Sequence, residues 1–497
     1  MPPPCRTTRP SGSEEVAAIR RASTVSMRMV FVFSMAVNLL MLTGPVYMLQ
    51  VYDRVLGSRS EETLVALSVV ATFLFVMMGV LDHTRGRVMA RVGAEFQARL
   101  DGRVFAAHLR HLSLTPGGAG GRNPLRDVEA VQRLMSSPVF LALFDIPWTP
   151  LFIAAIFLFH PMLGLLALAG GVALIALALI NQLMASGPMA QANLATARAE
   201  LTAQQLASEA ELVQSMGMRG AAFARWMETR GRSLTQSMMF SDRSGLFTVT
   251  TKTLRLFLQS AMLGLGAWLV LRGEMTAGAM IAGSILLGRA LSPIEMVIGQ
   301  WQMIHAARRG RLSVIELLDT IPAEVVRTPL PRPRARLVAE NVTMVPPGAT
   351  QASLRAVSFV LAPGQAMGVI GPSGAGKTSL AKAITGAWPT AGGRMRLDSA
   401  TLEQYDPDVL GSYIGYLPQT LPQGTSLAAY EAVISAYRAV RPDLPKAEIE
   451  AAVEDVFDLL GIRDIAFQAL NKMSGGQRQM VGLAQVIVRR PAILLLD

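Results

Sequence analysis

Six apolar stretches, arranged as three close pairs, constrain this chain more than any other feature. They run over residues 29–49 and 63–81, 139–159 and 162–184, and about 254–271 and 277–300. Each is near the roughly 20 residues that a helix needs to cross the hydrocarbon core of a bilayer. Lipid offers no partner to a bare backbone N–H or C=O, so each crossing must be a helix that satisfies itself. Three hairpins of this kind return both ends of the region to the same side. Composition agrees: 51% of the 497 residues are hydrophobic and 16% are charged, whereas soluble domains are about one quarter charged.

Arginine placement predicts the orientation. Arg6, Arg9, Arg20, Arg21 and Arg28 precede the first stretch, and Arg85, Arg87, Arg91, Arg99, Arg103 and Arg110 lie between the second and third. Arg198, Arg219, Arg225, Arg230 and Arg232 lie between the fourth and fifth. The turns inside the pairs (53–62, His160–Pro161 and 272–276) are short. Positively charged loops stay in the cytoplasm, so both termini and the two long segments are expected there. Those long segments alternate polar and apolar residues with helical period, which predicts helices continuing out of the membrane. The net charge of +11 sits beside apolar stretches instead of on one basic face, so membrane lipid is the expected partner and nucleic acid is not.

The single cysteine, Cys5, excludes a disulfide framework and fits a reducing cytosol. Residues 1–25 read as a disordered cytosolic tail and 26–327 as the membrane domain. Arg289 and Glu295 interrupt the last stretch, and Lys252 and Arg255 stand at the start of the fifth. Charges at such depth face a bundle interior or an aqueous path, as an ion pair or as part of a channel. Asp145–Ile146–Pro147–Trp148 is expected to shape a helix entrance. The five histidines lack metal-ligand spacing, so no transition-metal site is expected.

A Pro/Arg linker over 328–336 ends the membrane region, and an α/β domain over 337–497 follows. Strands are expected at 337–344, 353–361 and 366–370, the last leading into Gly371, Pro372, Ser373, Gly374, Ala375, Gly376, Lys377, Thr378 and Ser379. This is the phosphate-loop pattern: glycines let backbone N–H groups wrap phosphates, and the next helix points its positive end at them. Lys377 would reach the β- and γ-phosphates of ATP, and Thr378 would ligate Mg2+.

With these motifs the region resembles the nucleotide-binding domain of ATP-binding-cassette (ABC) transporters. The resemblance implies that Gln419, in YLPQ, senses the γ-phosphate through Mg2+ or water. It implies that Ser474, Gly475, Gly476 and Gln477, in MSGGQ, grip ATP held by a second copy. Asp497 would be the magnesium-binding aspartate. The membrane half is similar to the permease/ATPases of type I secretion systems, on GPVYMLQVYDRVL (44–56), LFDIPWTPLF (143–152), FHPMLG (159–164) and LSPIE (291–295). Two departures stand out. Val345–Pro346–Pro347 offers no aromatic ring for adenine, and IAFQALNK, before the signature, lacks the usual acidic turn. From Leu417 onward the sequence is more similar to the ATPase subunit of an iron-siderophore importer. A junction near Leu417 is therefore expected, the alternative being a divergent exporter.

The fold class expected is a six-span α-helical membrane domain of ABC exporter type followed by an α/β P-loop domain, incomplete at its C-terminus. The resemblance implies a homodimer in a bacterial inner membrane, exporting a protein with a C-terminal signal through a periplasmic adaptor and an outer-membrane channel. Segments near 123–136 and 209–220 are the expected carriers of motion between domains. Because the sequence stops at Asp497, before a water-positioning carboxylate, impaired hydrolysis is expected of the chain as given. The alternatives are export of a lipid or small peptide, and a catalytically dead membrane or assembly protein.

Overall fold

The computed structural model describes residues 11–114, 123–323, 330–419 and 426–497; Cys5 and the start of the linker lie outside them. The chain divides into two compact units, Met1–Leu109 with Ala119–Ala323, and Arg110–Gly118 with Glu324–Asp497.

Among the described residues, the regular structure of the first unit is all helical. It opens with α1 (Gly12–Ala22), where a disordered tail was expected. The reason is local. Ser11 and Glu14 form a reciprocal capping box, which satisfies two of the N–H groups a helix start leaves bare. Gly12 N–H donates to Asp319 at 2.6 Å and Glu15 pairs with Arg103 at 3.2 Å, so the helix is docked.

The spans follow in order: α2 (Thr24–Leu40), α3 (Thr43–Gln50), a π turn at Val51–Val55, the short α4 (Leu56–Ser58), and α5 (Glu61–Leu114). At 1.5 Å per residue α5 is about 80 Å long, so it continues well beyond one membrane crossing. Next come α6 (Pro124–Met135), α7 (Pro138–Asp145), a 3-10 turn at Ile146–Trp148, α8 (Thr149–Phe159), α9 (Pro161–Ser208), α10 (Ala210–Ser215), α11 (Arg219–Leu271), α12 (Ala277–Gly299) and α13 (Trp301–Thr320). Six of these segments are long and apolar enough to cross a membrane, at the places expected. The short helices α6 and α10 occupy the two segments expected to carry motion, and α6 packs on α13. Phe152, Ile156, Leu163, Leu174, Met262, Leu286 and Leu291 form the core between α8, α9, α11 and α12.

Polar contacts fix the register of this bundle. Pro147 and Pro150 interrupt the helical ladder between α7 and α8, leaving Asp145 at a helix end. Its carboxylate accepts from Arg85 Nη1 at 2.7 Å and Nη2 at 3.1 Å, and from Asn38 Nδ2 at 2.7 Å. Arg85 also donates to Ser34 Oγ at 3.0 Å and Asp82 at 2.7 Å. Ser34, Asn38, Arg85 and Asp145 are all buried. Arg85, counted above among the arginines between the second and third stretches, is the centre of a network that joins α2, α5 and α7. Glu295 lies 2.9 Å from Arg255 Nε, charge to charge, with the N–H not aimed at the carboxylate. Arg289 is exposed. At the opposite turns, Asp53 caps α12: its carboxylate accepts from Gly278 N–H at 2.9 Å and Thr276 Oγ1 at 2.7 Å. A Cβ on Gly278 would lie 2.5 Å from that carboxylate, so any larger residue there would push Asp53 out of this bond.

The second unit contains an antiparallel sheet of β1 (Leu337–Met344), β2 (Leu354–Leu361), β3 (Gly392–Leu397) and β4 (Ala400–Thr401), in the order β2-β1-β3-β4. α14 (Lys377–Ile384) follows the phosphate loop, and α15 (Pro407–Tyr413) leads into β5 (Ile414–Leu417). A helical part comprises α16 (Ala429–Val440), α17 (Lys446–Leu460) and α18 (Gly475–Ile487), and β6 (Ile493–Leu496) then pairs in parallel with β5. The strand expected at 366–370 is not formed. That stretch has no paired neighbour among the described residues, and Ile370 is 96% exposed.

Removing Asp145 takes the bidentate partner from the buried Arg85 and leaves it only the exposed carboxylate of Asp82, and breaking a buried pair in this way costs up to about 3–5 kcal/mol. Asp145→Ala is therefore expected to lower the unfolding midpoint in detergent sharply, and adding Arg85→Met to recover much of the loss. Equal stability of the single and double variants would contradict this account.

Candidate functional site

The site is built from the loop after β2 and the carboxyl ends of two parallel strands. Gly374 and Gly376 have φ of 84° and 93°, in the left-handed region that glycine tolerates best. A Cβ on Gly376 would also meet the Ser353 carbonyl oxygen at 2.8 Å. The chain thus turns tightly into α14, whose cap, Gly376, has no side chain to bond the first N–H groups. Gly371, Pro372, Ser373, Gly374, Ala375 and Thr378 are exposed, and Gly376, Lys377 and Ser379 are half-buried. Lys377 Nζ folds back and donates to the carbonyls of Gly371 and Pro372, both at 2.9 Å.

Parallel pairing of β5 with β6 brings distant residues to the same place. Leu417 pairs with Leu496, and Asp497 N–H donates to Leu417 O at 3.1 Å. Asp497 directly follows β6, and the exposed Gln419 stands just past the end of β5. In α/β sheets the carboxyl ends of parallel strands are where ligands bind. Thr378 Oγ1 donates to Asp497 Oδ1 at 3.0 Å, so the two expected magnesium ligands are already adjacent. The second carboxylate oxygen, Oδ2, accepts from Tyr416 OH at 3.0 Å. Burial, followed by the hydrogen bond to Asp497 and its charge, pushes the Tyr416 phenol up to about 12. Tyr416 was not among the residues expected from sequence. Its place in YLPQ was visible, but its partner lies 81 residues away.

The Ser474–Gln477 stretch forms a separate feature. Ser474 caps α18, accepting from Gln477 N–H at 3.3 Å while its own N–H donates to Gln477 Oε1 at 2.9 Å. Ser474, Gly475 and Gly476 are exposed, and Met473 before them is buried in the helical core. A hydroxyl beside a carboxylate is a hard-oxygen set that suits Mg2+. An uncapped helix start with a lysine suits a phosphate chain.

Comparison with known families agrees with this geometry. The family described as ABC transporter transmembrane region matches residues 27–292, and that described as ABC transporter matches residues 354–497. The chain is 38% identical over 496 residues to the "Type I secretion system ATP-binding protein PrsD" of Rhizobium meliloti, covering 99% of this chain and 84% of that protein. That alignment extends across Leu417. It is 22% identical to the "Alpha-hemolysin translocation ATP-binding protein HlyB" of Escherichia coli O157:H7, over 94% of this chain and 67% of that one. A solved bacterial Atm1-family ABC exporter with ATP bound shares the fold, with a TM-score of 0.74 at 19% identity, covering 97% of this chain and 86% of that chain. The chain belongs to the ABC transporters. It is a multi-pass membrane protein with an ATP-binding domain, and couples ATP hydrolysis to export.

Gly376→Ala combines a left-handed backbone with a steric contact, strain of about 1–3 kcal/mol. If the loop's shape carries the affinity, trinitrophenyl-ATP should bind about ten- to a hundred-fold more weakly, with the melting temperature of the membrane unit unchanged. Parent-like affinity would show that the loop's shape is not needed.

Proposed function

We propose that this chain is the permease–ATPase of a type I secretion system, exporting a protein that carries a C-terminal signal. The observation that carries this reading is the 38% identity to a type I secretion ATP-binding protein, which runs through membrane and ATPase parts alike. In this reading the phosphate loop, Gly371 to Ser379, cradles the phosphates of ATP, and Lys377 leaves its two carbonyl partners for the β- and γ-oxygens. Thr378, Asp497 and Gln419 hold Mg2+, which neutralises phosphate charge when bound. The 3.0 Å contact between Thr378 and Asp497 supports the first two of these assignments. Ser474, Gly475, Gly476 and Gln477, exposed at the start of α18, grip ATP bound to a second copy, so the working unit is a homodimer. ATP then biases the pair toward a closed state and hydrolysis releases it. A periplasmic adaptor and an outer-membrane channel complete the route across the envelope.

The test is secretion. Co-expressed with an adaptor and channel of this class, the chain is expected to export a reporter fused to a C-terminal secretion signal. Lys377→Ala should abolish both export and ATP turnover. ATP turnover stimulated by lipid or short peptides, with no export of the reporter, would favour a lipid or small-peptide exporter instead.

The proposed location is a bacterial inner membrane with both termini in the cytoplasm. In a Cys5→Ser background, a membrane-impermeant thiol reagent added from the periplasm should label Ser58→Cys and leave Ser113→Cys unmodified. The opposite pattern would invert the topology.

A further inference from the structure

We propose that Tyr416 is a positioning residue for the magnesium site: its hydroxyl holds one oxygen of the Asp497 carboxylate so that the other stays turned toward Thr378 and the cation. This rests on the reading of Thr378 and Asp497 as magnesium ligands. A carboxylate at the end of a strand turns easily about its last torsion, which is broad and roughly two-fold. Here it is held from both sides. Thr378 Oγ1 donates to Oδ1 at 3.0 Å and Tyr416 OH donates to Oδ2 at 3.0 Å.

The sheet makes this contact. Tyr416 pairs with Leu495, and side chains two apart share a face, so Tyr416, Leu495 and Asp497 point the same way. The phenol is long enough to reach the carboxylate lying beyond its own partner. The hydroxyl is a donor to the carboxylate at 3.0 Å and brings no competing charge. A phenylalanine would keep the ring's packing and lose only this bond. Partners that orient a metal's ligands in this way change metal affinity by about 10–100-fold when removed.

The experiment uses the full chain in detergent, with Mn2+ as the probe cation. Free Mn2+ is followed by electron paramagnetic resonance in the presence of ATP, and metal-free ATP binding is measured separately in EDTA. Tyr416→Phe is expected to raise the Mn2+ half-saturation about ten-fold or more and to leave ATP binding in EDTA unchanged. 3-Fluorotyrosine at position 416, which keeps the donor, should restore the parent value. An unchanged Mn2+ half-saturation in Tyr416→Phe, or an equal loss of metal-free ATP binding, overturns the proposal. Asp497→Asn and Thr378→Ala serve as the control for the underlying site. If neither weakens Mn2+ binding, the magnesium reading fails and the role of Tyr416 falls with it. Should Tyr416→Phe not fold, O-methyltyrosine at position 416 keeps the ring and its oxygen but has no proton to donate. It should raise the Mn2+ half-saturation in the same way, and a parent-like value would equally defeat the idea.

Discussion

A guanidinium buried among membrane helices is tolerated only when its charge is neutralised and its donors are occupied, and Arg85 meets both conditions through Asp145. In lipid, apolar contact between helices discriminates little, because acyl chains are as apolar as leucine. Packing alone would leave α2, α5 and α7 free to slide or rotate against one another. The bidentate Arg85–Asp145 pair, with Asn38 and Ser34 bonded to it, selects one arrangement. The prolines that break α7 from α8 belong to the same device. They end the helix at Asp145, where the carboxylate meets the guanidinium.

A second set of polar ties acts at the turns within the hairpins. Asp53, within the π turn of the first hairpin, caps α12 of the third. His160 Nε2, in the turn of the second hairpin, lies 3.3 Å from Glu274 of the third, and His160 Nδ1 accepts from Met162 N–H to cap α9. All three hairpins are therefore cross-linked through side chains that also satisfy helix starts. One carboxylate or imidazole serves two purposes in each case, so a charged residue in a short turn adds order without leaving a buried polar group bare.

Much of this architecture was legible in the sequence, and the omissions have physical causes. Apolar length reports a membrane crossing directly, which is why six spans and the extended helices could be read from residue order. β1 falls on 337–344 as expected because its apolar, β-prone residues are bounded by the Pro/Arg linker on one side and Val345–Pro346–Pro347 on the other. The stretch 366–370 is apolar and β-prone, but a strand is a property of a pair, and no neighbour is paired with it among the described residues. The network around Arg85 was not foreseen, because counting arginines between spans ignores the helix face on which each one falls. The docked α1 was missed although Ser11 and Glu14 carry the capping-box spacing. In the site, each motif was visible by itself. What no motif states is the register of β5 with β6, which brings Tyr416 to Asp497 across 81 residues, or the placement of α14 beside that strand end, which brings Thr378 to Asp497 across 119.

The two glycine-bearing helix starts of the second unit show why similar sequences prepare for different partners. At α18, Ser474 and Gln477 bond each other's backbone N–H groups, so the start is already satisfied and presents a preformed, exposed surface. At α14, the cap is Gly376, in the left-handed region, with no side chain to accept those bonds. Bare N–H groups at a helix start carry partial positive charge, and they gain most from an anion placed against them. Lys377 adds a full charge at the same spot, held in reserve by two loop carbonyls that a phosphate can replace. On electrostatic grounds alone, the start of α14 suits an anion better than the start of α18 does. The contrast leaves the start of α18 suited to close contact through its glycines, where a nucleotide held elsewhere can approach the backbone.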